Sequence, residues 1–381
     1  MIVVTVNSGS TSVKLGAYEL TPDAQPQRLA SAHHSTGEAT SSAQKKRLLQ
    51  EFVAQLRPNA VAHRVVHGGT RFTRATRIDE SVLAHIAELS ELAPLHNPTA
   101  LSWIEAARQV CSPAVVQVAA FDTAFFAGLP RVASEYAVAP DIGTDQGVRR
   151  YGFHGLAHEA MLHRWQQLHP ELPGGGRLIS LQLGGGCSVA ALAGGRPLDT
   201  SMGFSPLEGL VMASRCGDID AAVVPYLQRR LARSSDEIVA SLNQRGGLAG
   251  LSGSSGDLSS LLANPDSRAR FAIDLYCYRA RKYIGAYMTV LGGCDGIVFG
   301  GGVGEHVPAV RAQILTGMQW AGIDLDTAAN AACSAQEGRI SLPGSRVCVQ
   351  VVPVDEERVL VGAAKDVTRQ VSGADAPVAK S

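Results

Sequence analysis

The chain has 381 residues, and its 34 Lys plus Arg balance its 34 Asp plus Glu. A formal net charge of zero with only 18% charged residues excludes a broad polyanion-binding surface, which needs a basic excess, and 45% hydrophobic residues exclude wholesale disorder. At roughly 100–200 residues per domain the length suggests two domains or three. No apolar stretch is long enough to span a bilayer, and no signal-peptide layout opens the sequence. Seven cysteines, an odd number without a C-x-x-C pair, fit reduced thiols in a cytoplasm better than a disulfide framework or a zinc site. The composition therefore leads us to expect a cytoplasmic protein with no nucleic-acid or membrane partner.

In chain order, a β-branched run at 2–6 stops at Asn7-Ser8-Gly9-Ser10-Thr11-Ser12 and resumes at Val13-Lys14-Leu15, which reads as strand, tight turn, strand. Residues 21–47 are polar and rich in Ala, Ser and Gln, and are expected to form a surface hairpin excursion. His63-Arg64-Val65-Val66-His67-Gly68-Gly69 is a strand end entering a glycine turn. Asn97-Pro98 with Leu101, Ile104, Ala107 and Val110 predicts a helix with Asn97 as N-cap and Pro98 at its first position. At mid-chain, the strand pattern 178–183, the turn Gly184-Gly185-Gly186-Cys187-Ser188 and the strand pattern 189–192 repeat the opening design, which suggests two domains built on one plan. An apolar-periodic helix is predicted over 271–290, then a strand at 296–299, a glycine turn at 300–305, and a helical pattern over 307–320. Strands alternating with helices make the class α/β.

Three glycine- and serine-rich turns (7–12, 184–188, 300–305) each follow a predicted strand. Small residues let the backbone approach a polyphosphate and present N–H donors. One such turn serves a β-bulge as readily; three in one chain point to phosphate. None matches Gly-x-x-x-x-Gly-Lys-Ser/Thr, so a Walker P-loop is excluded. Lys14 reads either as an exposed strand lysine or as a phosphate contact. Arg64 reads as a surface ion pair or as a cation reaching into a cleft. Tyr151-Gly152-Phe153-His154-Gly155 sets a histidine in a glycine-flanked turn, too bare for a core position. The block 199–220 is dense in donors and carboxylates and carries Arg215 beside Cys216-Gly217.

Asn7-Ser8-Gly9-Ser10-Thr11-Ser12-Val13-Lys14, Arg64-Val65-Val66-His67-Gly68-Gly69, Phe121-Asp122-Thr123-Ala124-Phe125, Tyr151-Gly152-Phe153-His154-Gly155 and the 199–220 block together resemble the acetate kinase family, in order from residue 2 to about 366. The resemblance implies a duplicated actin-like (ribonuclease H-like) two-domain ATPase fold with an interdomain nucleotide cleft. The first domain would comprise 1–122 plus a returning helix at 358–381, and the second 123–357. It implies a homodimer, Mg²⁺ (or Mn²⁺), and reversible in-line transfer of the γ-phosphate of ATP to acetate, giving acetyl phosphate and ADP. Arg64 would bind the acid's carboxylate, Arg215 and His154 would hold the transferring group, and Asp122 would order Arg64 or the metal site. Asn7 and Glu356 match the metal positions. Val66, Leu95, Phe153 and Pro206 match the pocket for the acyl methyl. Ser10, Ser12 and Lys14 match the first phosphate turn, and Gln182, Leu183, Gly184, Gly185 and Gly186 the second. Asp257, Leu258 and Ser259 match the nucleoside segment, and Gly302, Val303, Gly304, Glu305 and His306 the last turn.

The sequence departs from the family at several of these positions. Gln182 stands where the second turn's His-Leu-Gly-Asn-Gly begins; it can donate a hydrogen bond but carries no charge. Ser259 replaces an arginine, Phe126 a histidine, and the last turn ends in His306 rather than Asn. These changes leave open a different donor (GTP or pyrophosphate) or another short acid such as propionate. A sugar or alcohol kinase would need an Asp as base for a hydroxyl, for which Asp122 is the candidate. A nucleotide-dependent module without catalysis rests only on Gln182 and Ser259.

Overall fold

Alternating side chains at the N-terminus decide how the first sheet is built. Val4 and Val6 face one way and Val3 and Thr5 the other, all four buried. The computed structural model describes residues 1–9, 12–22, 24–35, 41–94 and 96–374. The chain divides into two compact units, Met1–Ala127 with Asp355–Ser381, and Gly128–Val354. The breaks fall at 127/128 and 354/355, where the sequence placed them at 122/123 and 357/358. The short 3-10 helix Asp122–Phe126 continues directly from the last strand of the first unit, and Glu356 opens that unit's C-terminal helix.

The first unit holds β1 (Ile2–Ser8), β2 (Ser12–Glu19), β3 (Gln27–Ser35), β4 (Ala60–Val65), β5 (Thr76–Arg77) and β6 (Val116–Phe121) in the order β3-β2-β1-β4-β6-β5. β1 runs antiparallel to β2 and parallel to β4, and β4 runs parallel to β6. Val4, Val6, Leu15, Ala17 and Val61 bury one sheet face together with Leu49 and Trp103 of the helices Ser42–Val53 and Asn97–Val110. Thr5, Gly16 and Tyr18 share the alternate face, where the Tyr18 hydroxyl donates to Glu357 of the helix Glu356–Ala374, so that helix lies on the opposite face. A Cβ on Gly16 would stand 2.6 Å from Thr5 Oγ1 and 2.9 Å from Glu357 Oε2, which is why glycine occupies the position.

The second unit holds β7 (Arg177–Leu183), β8 (Cys187–Ala193), β9 (Arg196–Thr200), β10 (Gly296–Gly300), β11 (Gly338–Arg339) and β12 (Cys348–Val351), in the order β11-β12-β10-β7-β8-β9. Read from the other end, this is the order of the first sheet. The pairing senses also match: β7 is antiparallel to β8 and parallel to β10, and β10 is parallel to β12. Two sheets of one topology make the α/β duplication visible where sequence identity between the halves is slight.

Residues 21–47 hold the expected hairpin, edge strand β3 antiparallel to β2, and also the start of helix Ser42–Val53, whose Ser41 and Gln44 form a capping box. Three expectations change on inspection. The glycine turn at 300–305 is the helix Gly301–His306, with Gly300 as its extended N-cap. The helix expected over 307–320 ends at Leu315, before Gly317 at φ +74°. Asn97 is the first helical residue rather than the cap. Its buried side chain accepts from the His67 N–H and donates to the His67 carbonyl, fixing the turn after β4.

Candidate active site

In the first unit, the ends of three adjacent strands bring four predicted residues together. Asn7 is the next-to-last residue of β1, Arg64 lies near the end of β4, and Asp122 follows β6 directly. Glu356 comes from the first turn of the C-terminal helix. Arg64 donates to Asp122 Oδ2 from Nε at 3.1 Å and Nη2 at 2.8 Å. Its Nη1 reaches Asn7 Oδ1 at 3.3 Å and Glu356 Oε2 at 3.4 Å, and Asn7 Nδ2 donates to Glu356 Oε2 at 2.7 Å. Burial lowers the pKa of Arg64, but the charges of Asp122 and Glu356 outweigh it and hold the guanidinium above its ordinary value. The Asp122 side chain is 1% exposed and that of Arg64 12%, so this is a structured ion pair and not the surface pair a bare sequence would suggest. Val66 follows one residue after β4 and is buried.

In the second unit, a separate set converges on the β7–β8 turn. His154 sits at φ +57°, a left-handed conformation, as N-cap of the helix Gly155–Leu168, and its Nδ1 lies 2.9 Å from Ser188 Oγ. A Cβ on Gly186 would stand 3.2 Å from His154 Nε2 and 3.4 Å from Arg215 Nη1. Glycine at 186 thus leaves room for both side chains beside the turn. Arg215 Nη1 donates to the Pro206 carbonyl at 3.2 Å and approaches Met212 Sδ at 3.7 Å. Among the described residues no carboxylate pairs with this guanidinium, and burial lowers its pKa. Gly184 N–H is taken by the Gly186 carbonyl, whereas among the described residues Gly185 N–H and Gly186 N–H meet no protein acceptor. Cation, imidazole and exposed backbone donors on one turn form a receptor for an anion.

The remaining predicted residues of this unit lie around that turn. Gln182 pairs with Gly300 across β7 and β10; its Nε2 would stand 2.8 Å from a Cβ on Gly301, and its Oε1 is buried without a hydrogen bond. Leu183 is buried. In the helix Gly301–His306, Gly302 is open to solvent, Val303 is half-buried, Gly304 is buried, and His306 is exposed. Glu305 is spent on the backbone, accepting from Gly301 N at 2.9 Å and Val354 N at 3.0 Å. Asp257 caps a short helix by accepting from Ser260 N and Oγ, each at 2.7 Å, and these bonds hold its pKa below the usual range. Ser259 is exposed, whereas Leu258 is turned into the core and leaves only its backbone for a nucleoside. Phe153 is buried and Pro206 half-buried. In the first unit Lys14 is exposed on β2, its Cα opposite that of Asn7, and Ser12 opens β2. Ser10 and Leu95 lie outside the described residues.

The model of the acetokinase family matches residues 29–362. The chain belongs to that family. Among acetokinase relatives, the acetate kinase of Chloroherpeton thalassium is 44% identical over 307 residues, covering 79% of this chain and 74% of that protein. The crystal structure of Porphyromonas gingivalis acetate kinase superposes with a TM-score of 0.85 at 32% identity, over 96% of this chain and 99% of that one. A propionate kinase from Francisella tularensis subsp. tularensis gives 0.84 at 30%, over the same shares of the two chains. The acetokinase fold is therefore that of this protein.

Two further groups were not singled out from sequence. Ser188 is buried behind His154, and Tyr136, Arg150 and Glu208 brace the loop that carries Pro206. Tyr136 Oη donates to Glu208 and accepts from Phe204 N at 2.8 Å; Arg150 donates to the carbonyls of Thr200 and Ser201. Arg150 falls just before the Tyr151–Gly155 motif, but nothing in the sequence joins it to Glu208. Among the described residues no group of three or more His, Cys, Asp or Glu side chains converges as a metal cage. Asn7 and Glu356 instead lie side by side, the amide Nδ2 on the carboxylate and Oδ1 on Arg64 Nη1, and bring one amide and one carboxylate to the ends of the strands. That set suits Mg²⁺, which takes few protein oxygens and fills its shell with water and phosphate. One guanidinium against two carboxylates also leaves the cluster short of positive charge for binding an anionic acid, and a divalent cation on Glu356 would reverse that.

Proposed function

We infer that this chain transfers the γ-phosphoryl group of ATP to the carboxylate of acetate, reversibly, giving acetyl phosphate and ADP. A carboxylate is ionised at neutral pH and needs no general base to act as nucleophile. The barrier is electrostatic: two anions must meet, and fixed donors must stabilise a charge-rich transition state. The observation that carries the reading is Arg215, a half-buried guanidinium with only neutral partners among the described residues, set beside an imidazole and open backbone N–H groups. It is built for an anion that the protein does not itself supply.

In this mechanism Arg64 binds the acid's carboxylate, kept in orientation by Asp122 through two donors to one oxygen. Asp122 is thereby occupied, which speaks against its use as the base of a sugar or alcohol kinase. Arg215 Nη and His154 Nε2 take the equatorial oxygens of the transferring group, and the Gly184-Gly185-Gly186 turn takes the phosphate backbone-first. Asn7 and Glu356 would hold Mg²⁺ (or Mn²⁺), which when bound neutralises phosphate charge. Val66 forms a wall for the acyl methyl. Gln182, with its unspent Oε1, offers a neutral contact where a charge would bind phosphate more tightly. The homodimer and the cytoplasmic setting belong to the same reading, and sedimentation measures the first.

Hydroxamate trapping of the acyl phosphate, run with acetate, propionate and butyrate against ATP, GTP and pyrophosphate, tests the assignment. Acetate with ATP should lead, with propionate poorer by about 1–3 kcal/mol for its added methylene. A second reading, a kinase for a slightly longer acid, is favoured by the likeness to a propionate kinase. Propionate or butyrate exceeding acetate in kcat/KM by more than about tenfold would decide for it. Phosphorylation of glycerol or a hexose in place of acetate would overturn both.

A further inference from the structure

Behind His154 runs a chain of buried groups. His154 Nδ1 lies 2.9 Å from Ser188 Oγ, and Ser188 Oγ lies 2.8 Å from His158 Nε2. His158 Nδ1 lies 2.6 Å from Ser180 Oγ. Ser180 is on β7 and Ser188 on β8. His158 follows His154 by one helical turn, and all three are completely buried.

The protons in this chain can be counted. A neutral imidazole has one N–H and one lone pair, and each hydroxyl has one proton. His158 is neutral, because burial pulls its pKa down to about 3. Among the described residues, Ser180 Oγ has His158 Nδ1 as its sole hydrogen-bond partner. A buried hydroxyl proton without an acceptor costs about 1–3 kcal/mol, so Ser180 donates to His158 Nδ1. His158 then carries its own proton at Nε2 and donates it to Ser188 Oγ. The Ser188 proton goes to its other partner, His154 Nδ1. The remaining proton of His154 stands at Nε2, the ring atom nearest Gly186, on the side where Arg215 lies. Reversing the chain would strand the Ser180 proton. Protonating His154 Nδ1 would leave the Ser188 proton without an acceptor among the described residues.

We propose that Ser180, His158 and Ser188 are positioning residues that fix His154 as the Nε2–H tautomer, so that it presents a hydrogen-bond donor to the transferring phosphoryl group. This rests on the reading in which His154 touches that group. Long-range proton–nitrogen NMR of the full chain labelled with ¹⁵N-histidine reports the tautomer directly, with His154→Gln assigning the resonance. The wild type and Ser180→Thr should show Nε2–H at both rings. Ser180→Ala, which removes the proton that sets the direction, should give a tautomer mixture at His154. Its kcat for acetyl phosphate formation should fall about tenfold, with KM for acetate within about twofold. An Nδ1–H tautomer in the wild type would overturn the proposal, and so would a Ser180→Ala protein with unchanged spectrum and kcat. If Ser180→Ala does not fold, the wild-type spectrum alone decides. The spectra need no turnover, so a fully active His154→Ala would refute the catalytic link while the proton arrangement is judged separately.

Discussion

Replacing Arg215 by alanine should separate activity from stability. The guanidinium makes one hydrogen bond to a carbonyl, that of Pro206, and none to a carboxylate among the described residues. Its burial lowers its pKa, so the folded chain bears a desolvation cost for this charge without a compensating ion pair. Removal therefore leaves one carbonyl short of a donor, a loss of about 1 kcal/mol, and relieves the buried charge. The net change in stability should lie within about 1 kcal/mol of zero. Turnover should respond quite differently. A donor aimed at transition-state charge is worth about 2.7–4 kcal/mol, so kcat for acetyl phosphate formation should fall by about 10²–10³. Hydroxamate trapping at saturating acetate and ATP gives kcat, and a thermal melt of the same preparation gives stability. Near-normal kcat would remove Arg215 from the reaction. A collapse in melting temperature would show that the guanidinium serves the fold and would refute the reasoning.

Arg64→Ala should fail on both counts, because it strips the buried Asp122 of its cation and exposes Glu356 to it; the loss should be about 3–5 kcal/mol of stability, partly recovered in Arg64→Ala/Asp122→Asn. Equal melting of the single and double variants would contradict this. Acid should destabilise the protein through His63, His67 and His158, which burial holds down to about 4, about 4 and about 3. The unfolded chain protonates these rings near 6.5, so their contribution is complete above that pH and is lost as pH falls. The limiting slope is about 1.4 kcal/mol per pH unit for each ring, and urea unfolding between about pH 7 and pH 5 reads it; a flat profile would contradict the burial argument.

The parts of the fold legible in the sequence were those where an apolar period met a glycine turn. β1 with β2 and β7 with β8 stand out because their alternation is interrupted by small residues at the hairpins. β3 is hidden because an edge strand with one solvated face carries too few apolar residues to show a period. Helix Gly301–His306 reads as a turn because its glycines are poor helix formers; its own Glu305 carboxylate, accepting from Gly301 N and from the distant Val354 N, stabilises it. Arg64 and Asp122 were recognisable one at a time. Their pairing entered only as one of two roles that the resemblance implies for Asp122, since the residues alone do not show that β4 and β6 are neighbours, with Arg64 level with Ala120. Ser180 and Ser188 look like ordinary small residues within apolar strands, and His158 was not singled out from sequence; its spacing from His154 by one helical turn is the signal that could have found the chain of groups behind the site.

The claim that a carboxylate oxygen itself receives the phosphoryl group can be tested with acetate labelled with ¹⁸O. In ³¹P NMR of the reaction with ATP and Mg²⁺, the product phosphorus should show the isotope shift of one bound ¹⁸O, accumulating in step with ADP. ADP formed with inorganic phosphate alone, or a phosphorylated product without the shift, would contradict the account.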